Sequence, residues 1–239
     1  MSYTKAVYRS KNAMDVSEYH TGRYGAPGQE RQKRKKPTPE QIEKRNQYNK
    51  ERTAKWKLWD HFDVNDYFST WTYRKEERPP DMKTAVKDFG KAIKTVKREY
   101  KKRGATLKWM RNIEVGTKGA WHIHVIINRI QDTDIILSKA WQHGKIVNQL
   151  LYAKGEFRDL AAYITKTPQT DSKLKEANYS TSRNLPLKER EKKIIKWKTW
   201  KKVRIPKGFE LEKDSLHEGI NPVTGYAYRT YTLIRSRRC

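Results

Sequence analysis

Two histidines one residue apart, His122 and His124, lie in a run of β-branched and bulky residues from Ala120 to Asn128. Side chains on a strand alternate between faces with a period of two, so both imidazoles project from one side and Trp121, Ile123 and Val125 from the other. Paired imidazoles on one face can ligate a divalent metal; they can equally be unrelated side chains on a half-polar strand. Glu114 shifts that balance. It lies on the preceding apolar run, Leu107 to Val115, and the intervening Gly116-Thr117-Lys118-Gly119 reads as a hairpin turn. If the loop is Thr117-Lys118-Gly119, closed by Gly119 in the left-handed conformation, residue 116 faces 120 and Glu114 faces His122. A carboxylate and two imidazoles then converge on one point. The same register gathers Trp109, Ile113, Val115, Trp121, Ile123, Val125 and Ile127 on the opposite face, whereas an even-numbered loop would turn Glu114 toward that apolar side.

A candidate nucleophile follows in Phe157-Arg-Asp-Leu-Ala-Ala-Tyr163-Ile-Thr-Lys166-Thr-Pro168. Phe157, Leu160, Ala161 and Ile164 make a helical apolar stripe, Asp159, Tyr163 and Lys166 share the other face, and Pro168 lies just past the end. A tyrosine and a lysine one turn apart can reach the same ligand, although most such pairs are solvated surface.

The elements that must position these residues can be read along the chain. Residues 1 to about 56 are polar and basic, with the dense positive run Arg31 to Lys36, which suits a solubilising tail as well as a DNA-contacting arm. Thr38 and Pro39 mark the cap and first position of a charged helix through about Trp56. His61 to Arg74 reads as the first core strand. An amphipathic helix follows, with Asp81 as cap, Met82, Val86, Phe89, Ile93, Val96 and Tyr100 as its core face, and Gly104 as its stop. After the hairpin, Asp132-Thr-Asp134 opens a helix carrying Ile135, Ile136, Leu137 and Trp141, closed by Gly144. Ile146 to Tyr152 reads as a fourth strand. The order strand, helix, strand, strand, helix, strand, helix is that of a split βαβ sheet. The fold class is therefore α+β, a ferredoxin-like (RRM-like), mostly antiparallel sheet with helices on one face and the His-Glu cluster on the other. Basic N- and C-terminal extensions complete the chain.

A His-hydrophobe-His strand followed about forty residues later by a helical Tyr-x-x-Lys resembles the HUH-type rolling-circle replication initiators of phages, plasmids and small circular DNA viruses. Glu114, eight residues before His122, looks like the additional acidic metal ligand of the Rep branch. Phe68-Ser-Thr-Trp-Thr-Tyr73 looks like the first family motif, with Trp71 bulkier than the usual aliphatic residue. The resemblance covers roughly residues 62 to 170 and is to the single-tyrosine kind, without a second tyrosine or a helicase region. It implies metal-assisted transesterification of single-stranded DNA to initiate and terminate rolling-circle replication. Glu114, His122 and His124 would hold Mn²⁺ or Mg²⁺, Tyr163 would form a 5′-phosphotyrosine link, and Lys166 would assist. It further implies a single-stranded, hairpin-forming replication origin as substrate, a helicase and polymerase supplied in trans by the host, and a bacterial cytoplasm as the setting.

The composition agrees. Of 239 residues, 54 are Lys or Arg and 27 Asp or Glu, a formal net charge of +27 that calls for a polyanionic partner, with nucleic acid ahead of a membrane surface. No apolar run is long enough to span a membrane and no signal-peptide core lies near Met1. With Cys239 the only cysteine, any metal must be held by His and carboxylate. The organisation anticipated is an N-terminal extension over 1–56, an endonuclease domain over 57–170, and a basic region over 171–239 whose strand Tyr226 to Ile234 ties it to the catalytic domain. Within that region, Lys188 to Lys207 packs ten basic residues around exposed or core-facing tryptophans. Candidate DNA contacts are Thr72, Tyr73 and Arg74 at the end of the first strand, with Trp197, Lys198 and Trp200. Alternatives are a relaxase or single-strand transposase with the same chemistry, a non-catalytic single-strand binder, and a hydrolase using activated water.

Overall fold

The computed structural model describes residues 2–20, 31, 33, 36–116, 119–151, 157–166 and 179–236. In chain order the elements begin with β1 (Tyr3–Arg9), β2 (Ala13–Tyr19) and α1 (Pro39–His61). Then come β3 (Tyr67–Thr72), α2 (Met82–Lys102), β4 (Trp109–Val115), β5 (Trp121–Ile127), α3 (Thr133–Ala140), β6 (Ile146–Leu150) and α4 (Arg158–Thr165). The chain closes with β7 (Ser180–Thr181), β8 (Glu191–Ile195), β9 (Phe209–Leu211), β10 (His217–Ile220) and β11 (Ala227–Arg235). Two units result: residues 61–186, and residues 1–60 together with 187–239.

In the 61–186 unit the sheet order is β6-β3-β5-β4-β7, with every pair antiparallel. Its first four strands, interleaved with α2 and α3, give the α+β split βαβ arrangement. α2 is capped by the Asp81 carboxylate, which accepts from the Thr84 amide at 2.7 Å. Its buried face is Met82, Ala85, Phe89, Ala92, Ile93, Val96 and Tyr100; Val86, expected in that face, is exposed. These side chains pack with Trp71, Ile113, Trp121, Ile123, Val125 and Ile127 of the sheet and with Ile136 and Leu137 of α3. The first strand is shorter than the expected His61 to Arg74, because the charged helix α1 continues to His61. α4 lies on the opposite sheet face from α2 and α3, so the helices are not confined to one side: its Tyr163 meets His124 and Glu114 on that opposite face.

The second unit departs most from expectation. Residues 3–19, expected in a polar extension, form the antiparallel hairpin β1-β2 inside a six-stranded sheet ordered β10-β11-β2-β1-β8, with β9 on β11. β11 therefore closes this sheet by pairing with β2 rather than joining the catalytic sheet. α1 starts as expected: the Thr38 hydroxyl accepts from the Gln41 amide at 3.3 Å, and the Gln41 side chain accepts from the Thr38 amide at 3.1 Å. Its Trp56 stacks on Tyr8 of β1 at 4.1 Å between centroids. Expectations for Tyr152, Pro168, Cys239 and most of the Arg31 to Lys36 run fall outside the described residues. Among those described, no helix is long and apolar enough to cross a membrane.

Candidate active site

The β4-β5 hairpin has the odd register. Glu114 pairs with His122 and Asn112 with His124, the Gly116 amide donates to the Ala120 carbonyl at 2.8 Å, and Gly119 has φ +66°. An L side chain at Gly119 would be strained in that conformation. The register puts Glu114, His122 and His124 on the face away from α2, as the alternation of apolar residues requires. Thr72 and Thr70 of β3 stand opposite His122 and His124 on the other flank.

Three atoms form a tight triangle on this face. Glu114 Oε1 lies 2.8 Å from His124 Nε2; the Tyr163 hydroxyl lies 3.0 Å from the same nitrogen and donates to the same carboxylate oxygen at 3.4 Å. The far nitrogen of His124, Nδ1, is 3.2 Å from the Thr70 hydroxyl, a bond that holds the ring in plane. Phe68, two residues earlier on the same strand face, stacks on His124 with 9° between planes and meets Tyr163 edge-on. Neither Phe68 nor Thr70 was singled out from sequence. Period-two alternation from Thr72, together with the β3-β5 pairing, is the signal that selects them.

The electrostatics follow from this crowding. The hydrogen bond with His124 and the nearby imidazoles hold the Glu114 carboxyl below its ordinary value against a burial penalty. Burial first, then the neighbouring His124, lowers His122 and favours its neutral form. Burial, followed by the charge and hydrogen bond of Glu114, pushes the Tyr163 hydroxyl up to about 12.

An ionised carboxylate and two imidazoles, one of them favoured neutral, are a donor set suited to a divalent first-row metal. Among the described residues no three such side chains already close on one ion-sized position; Glu114 and His124 instead bond each other. Glu114, His122 and His124 are nonetheless brought to one face, in register, with Tyr163 against two of them.

Lys166 is placed differently from expectation. α4 ends at Thr165, and Lys166 is its exposed C-cap with extended backbone, outside the helical face that carries Tyr163. Of the candidate DNA contacts, Thr72 donates its hydroxyl to the Lys145 carbonyl and Arg74 donates to the Gln142 carbonyl while pairing with Glu77. Tyr73 is core rather than surface: it is buried against Trp141, and its hydroxyl donates to Asp88. In the other unit Trp197 is 52% exposed with the Lys201 ammonium 4.4 Å from its ring centroid, and Lys198 is exposed. Trp200 is not an open platform, since it packs against Tyr3 and His20.

Residues 66–168 match the family model of the replication-associated protein ORF2/gene II protein, a likeness consistent with a rolling-circle replication initiator. The matched span lies within the 61–186 unit and contains every residue of the triangle. No curated protein and no solved structure matches the chain.

Proposed function

We propose that this protein nicks and rejoins single-stranded DNA at a replication origin, initiating and terminating rolling-circle replication through a 5′-phosphotyrosine intermediate. The observation that carries the reading is the contact of the Tyr163 hydroxyl with both Glu114 and His124 on the sheet face. Mn²⁺ or Mg²⁺ held by Glu114, His122 and His124 would polarise a phosphate oxygen and offset the charge that keeps Tyr163 protonated. The need for such help is quantitative: a hydroxyl titrating near 12 is ionised in only about one molecule in 10⁵ at pH 7.

In the reaction the Tyr163 oxygen attacks phosphorus and the bond from phosphorus to the 3′ oxygen breaks. The leaving oxygen gains a proton to become a free 3′-hydroxyl, balancing the proton lost by Tyr163. One phosphodiester replaces another, so the reverse attack by a 3′-hydroxyl reseals the strand. Thr70 and Phe68 keep His124 oriented, and Phe68 also holds the tyrosine ring edge-on. Lys166, exposed at the end of α4, would meet phosphate only once DNA is bound.

The test is incubation of the protein with Mn²⁺ and pooled single-stranded oligonucleotides, followed by denaturing electrophoresis. A shifted band that survives denaturation is expected from the native chain and not from Tyr163→Phe, whose DNA binding should stay near normal. An undiminished adduct in that variant would move the nucleophile elsewhere; cleavage without any adduct would favour activated water.

A further inference from the structure

The unit formed by residues 1–60 and 187–239 has a groove of about 870 Å³ between α1 and the β2-β11 part of its sheet. Its cations are Lys44, Arg45, Arg52, Arg190 and Arg229. The sole carboxylate in its lining, Glu18, is buried and neutralised, accepting from Arg229 Nε at 2.7 Å with the Lys5 ammonium at 3.8 Å. Arg45 lies on the exposed side of α1 and makes no ion pair among the described residues. The surrounding sequence deepens the bias: residues 1–60 and 187–239 hold 30 Lys and Arg against 13 Asp and Glu. Such a concave, positively charged surface concentrates polyanions.

The other lining residues narrow the ligand. Tyr48 is 41% exposed, with the Arg52 guanidinium 5.4 Å from its ring centroid, and Tyr19 and Tyr228 line the sheet side. Asn46, Asn49 and Gln41 add side-chain amides along α1. Tyrosine rings take bases by stacking only when the bases are unpaired, and amides can bond their exposed edges. A volume within the range of small-ligand sites admits a few nucleotides rather than a duplex.

We propose that this groove is a second nucleic-acid site, holding a short run of single-stranded DNA by phosphate contacts from Lys44, Arg45 and Arg190 and by stacking on Tyr48. The inference rests on the nucleic-acid reading of the chain but not on the Tyr163 chemistry. Two sites on one chain raise the effective concentration of a strand for the second once the first is filled, so a longer strand binds with avidity.

The experiment uses the full chain in EDTA with a 5-iodouracil-substituted single strand of about 20 nucleotides, photocrosslinked and mapped by peptide mass spectrometry. Crosslinks on peptides carrying Tyr48 or Tyr228 are expected. The double charge reversal Lys44→Glu, Arg45→Glu, on the exposed side of α1, should weaken single-strand binding about tenfold and lower the slope of log affinity against log salt by about 1.4. Unchanged melting temperature would show that the variant is folded. Crosslinks confined to residues 61–186, unchanged affinity in the double variant, or equal competition by duplex would each overturn the groove while leaving the origin-nicking reading intact. No binding and no crosslink anywhere would sink both.

Discussion

The Asn112 side-chain amide donates to the Lys166 carbonyl at 3.0 Å, tying the C-terminus of α4 to the strand that also carries Glu114. Asn112 is 2% exposed and pairs across the hairpin with His124, so one short tie connects the helix bearing the nucleophile to the strand opposite the central imidazole. Asn112→Ala removes the donor without touching the triangle. It should slow adduct formation about tenfold or more, since an ångström of misplacement is costly to attack geometry. Single-strand and Mn²⁺ affinities should stay near native. Equal losses in binding and rate would mean that Asn112 only stabilises the fold.

Glu114 has two effects on Tyr163 that substitution can separate. Burial first and the Glu114 carboxylate second raise the tyrosine, so Glu114→Gln should let it titrate lower, yet still above 10 because burial remains. The sign for stability follows. A hydroxyl whose folded value exceeds its unfolded value contributes stability fully present below about pH 10 and lost as pH rises toward 12. Glu114→Gln should shrink that alkaline loss, and ¹³C NMR of labelled tyrosine in the metal-free chain would report the shift directly. Mn²⁺ affinity and adduct formation should nevertheless fall at least tenfold, because a charged donor is gone. Unaltered Mn²⁺ binding would remove Glu114 from the donor set.

How much of this was legible depends on whether neighbours in sequence were also neighbours in space. The hairpin register was readable because Glu114, His122 and His124 are separated by one short turn and the apolar residues alternate without a break. The caps Thr38 and Asp81 were readable for the same reason. β2 was not, because its buried Asp15, Ser17 and Glu18 make it read as polar loop. Those acids are tolerated only through distant partners: Trp56 Nε1 donates to Asp15 at 2.7 Å, and Arg229 to Glu18. Tyr73 was misread as surface because the strand ends one residue earlier and its side chain turns inward onto Trp141. Phe68 and Thr70 needed the β3-β5 pairing, a contact across more than fifty residues.

Asp60 supplies a pH prediction for the second unit. Its side chain is 4% exposed; Tyr8 donates to it at 2.7 Å and Lys188 at 3.1 Å. Burial opposes ionisation, but the hydrogen bonds from Tyr8, Ser10 and Lys188 outweigh it and hold the carboxyl below its ordinary value. A lowered carboxylate contributes stability above its unfolded value, near 3.9, and loses it as pH falls through the folded value. Asp60→Asn should cost about 1–2 kcal/mol at pH 7 and progressively less in acid. Denaturant melts from pH 2 to 7 would show the native and variant curves converging at the acid end; a constant offset would refute the linkage.

Gly119 and metal affinity should be coupled. With φ +66°, residue 119 closes the odd-numbered loop that sets Glu114 opposite His122. Gly119→Val disfavours the left-handed conformation and should cost on the order of 1–3 kcal/mol. Calorimetric Mn²⁺ titration should show weaker binding in a chain that still melts cooperatively. Native affinity in the valine variant would mean that the register survives without glycine.

Gly144 tests whether the sheet edge supports the site. An added Cβ there would sit 2.0 Å from the Thr72 carbonyl oxygen and 2.8 Å from its carbon, so main chain rather than a flexible side-chain tip must give way. That carbonyl already accepts from Trp141 Nε1 at 3.0 Å, while the Thr72 and Arg74 amides donate to the Lys145 and His143 carbonyls at 2.9 and 2.8 Å. Relief must therefore come from shifting the end of β3 or the turn after α3. Thr72 is the cross-strand partner of His122, so a shift of β3 moves the flank on which that imidazole stands. Gly144→Ala should destabilise the 61–186 unit by about 2 kcal/mol or more, as overpacking against fixed backbone does. It should also lower Mn²⁺ affinity, although residue 144 contacts no proposed ligand directly. Gly90→Ala provides the matching control, because a Cβ there meets nothing within 4 Å and lies in the middle of α2. That variant should melt at or above the native temperature, alanine being favoured over glycine in a helix by about 1 kcal/mol. Equal melting temperatures for the two alanine variants would show that the β3 edge yields freely and plays no part in holding His122.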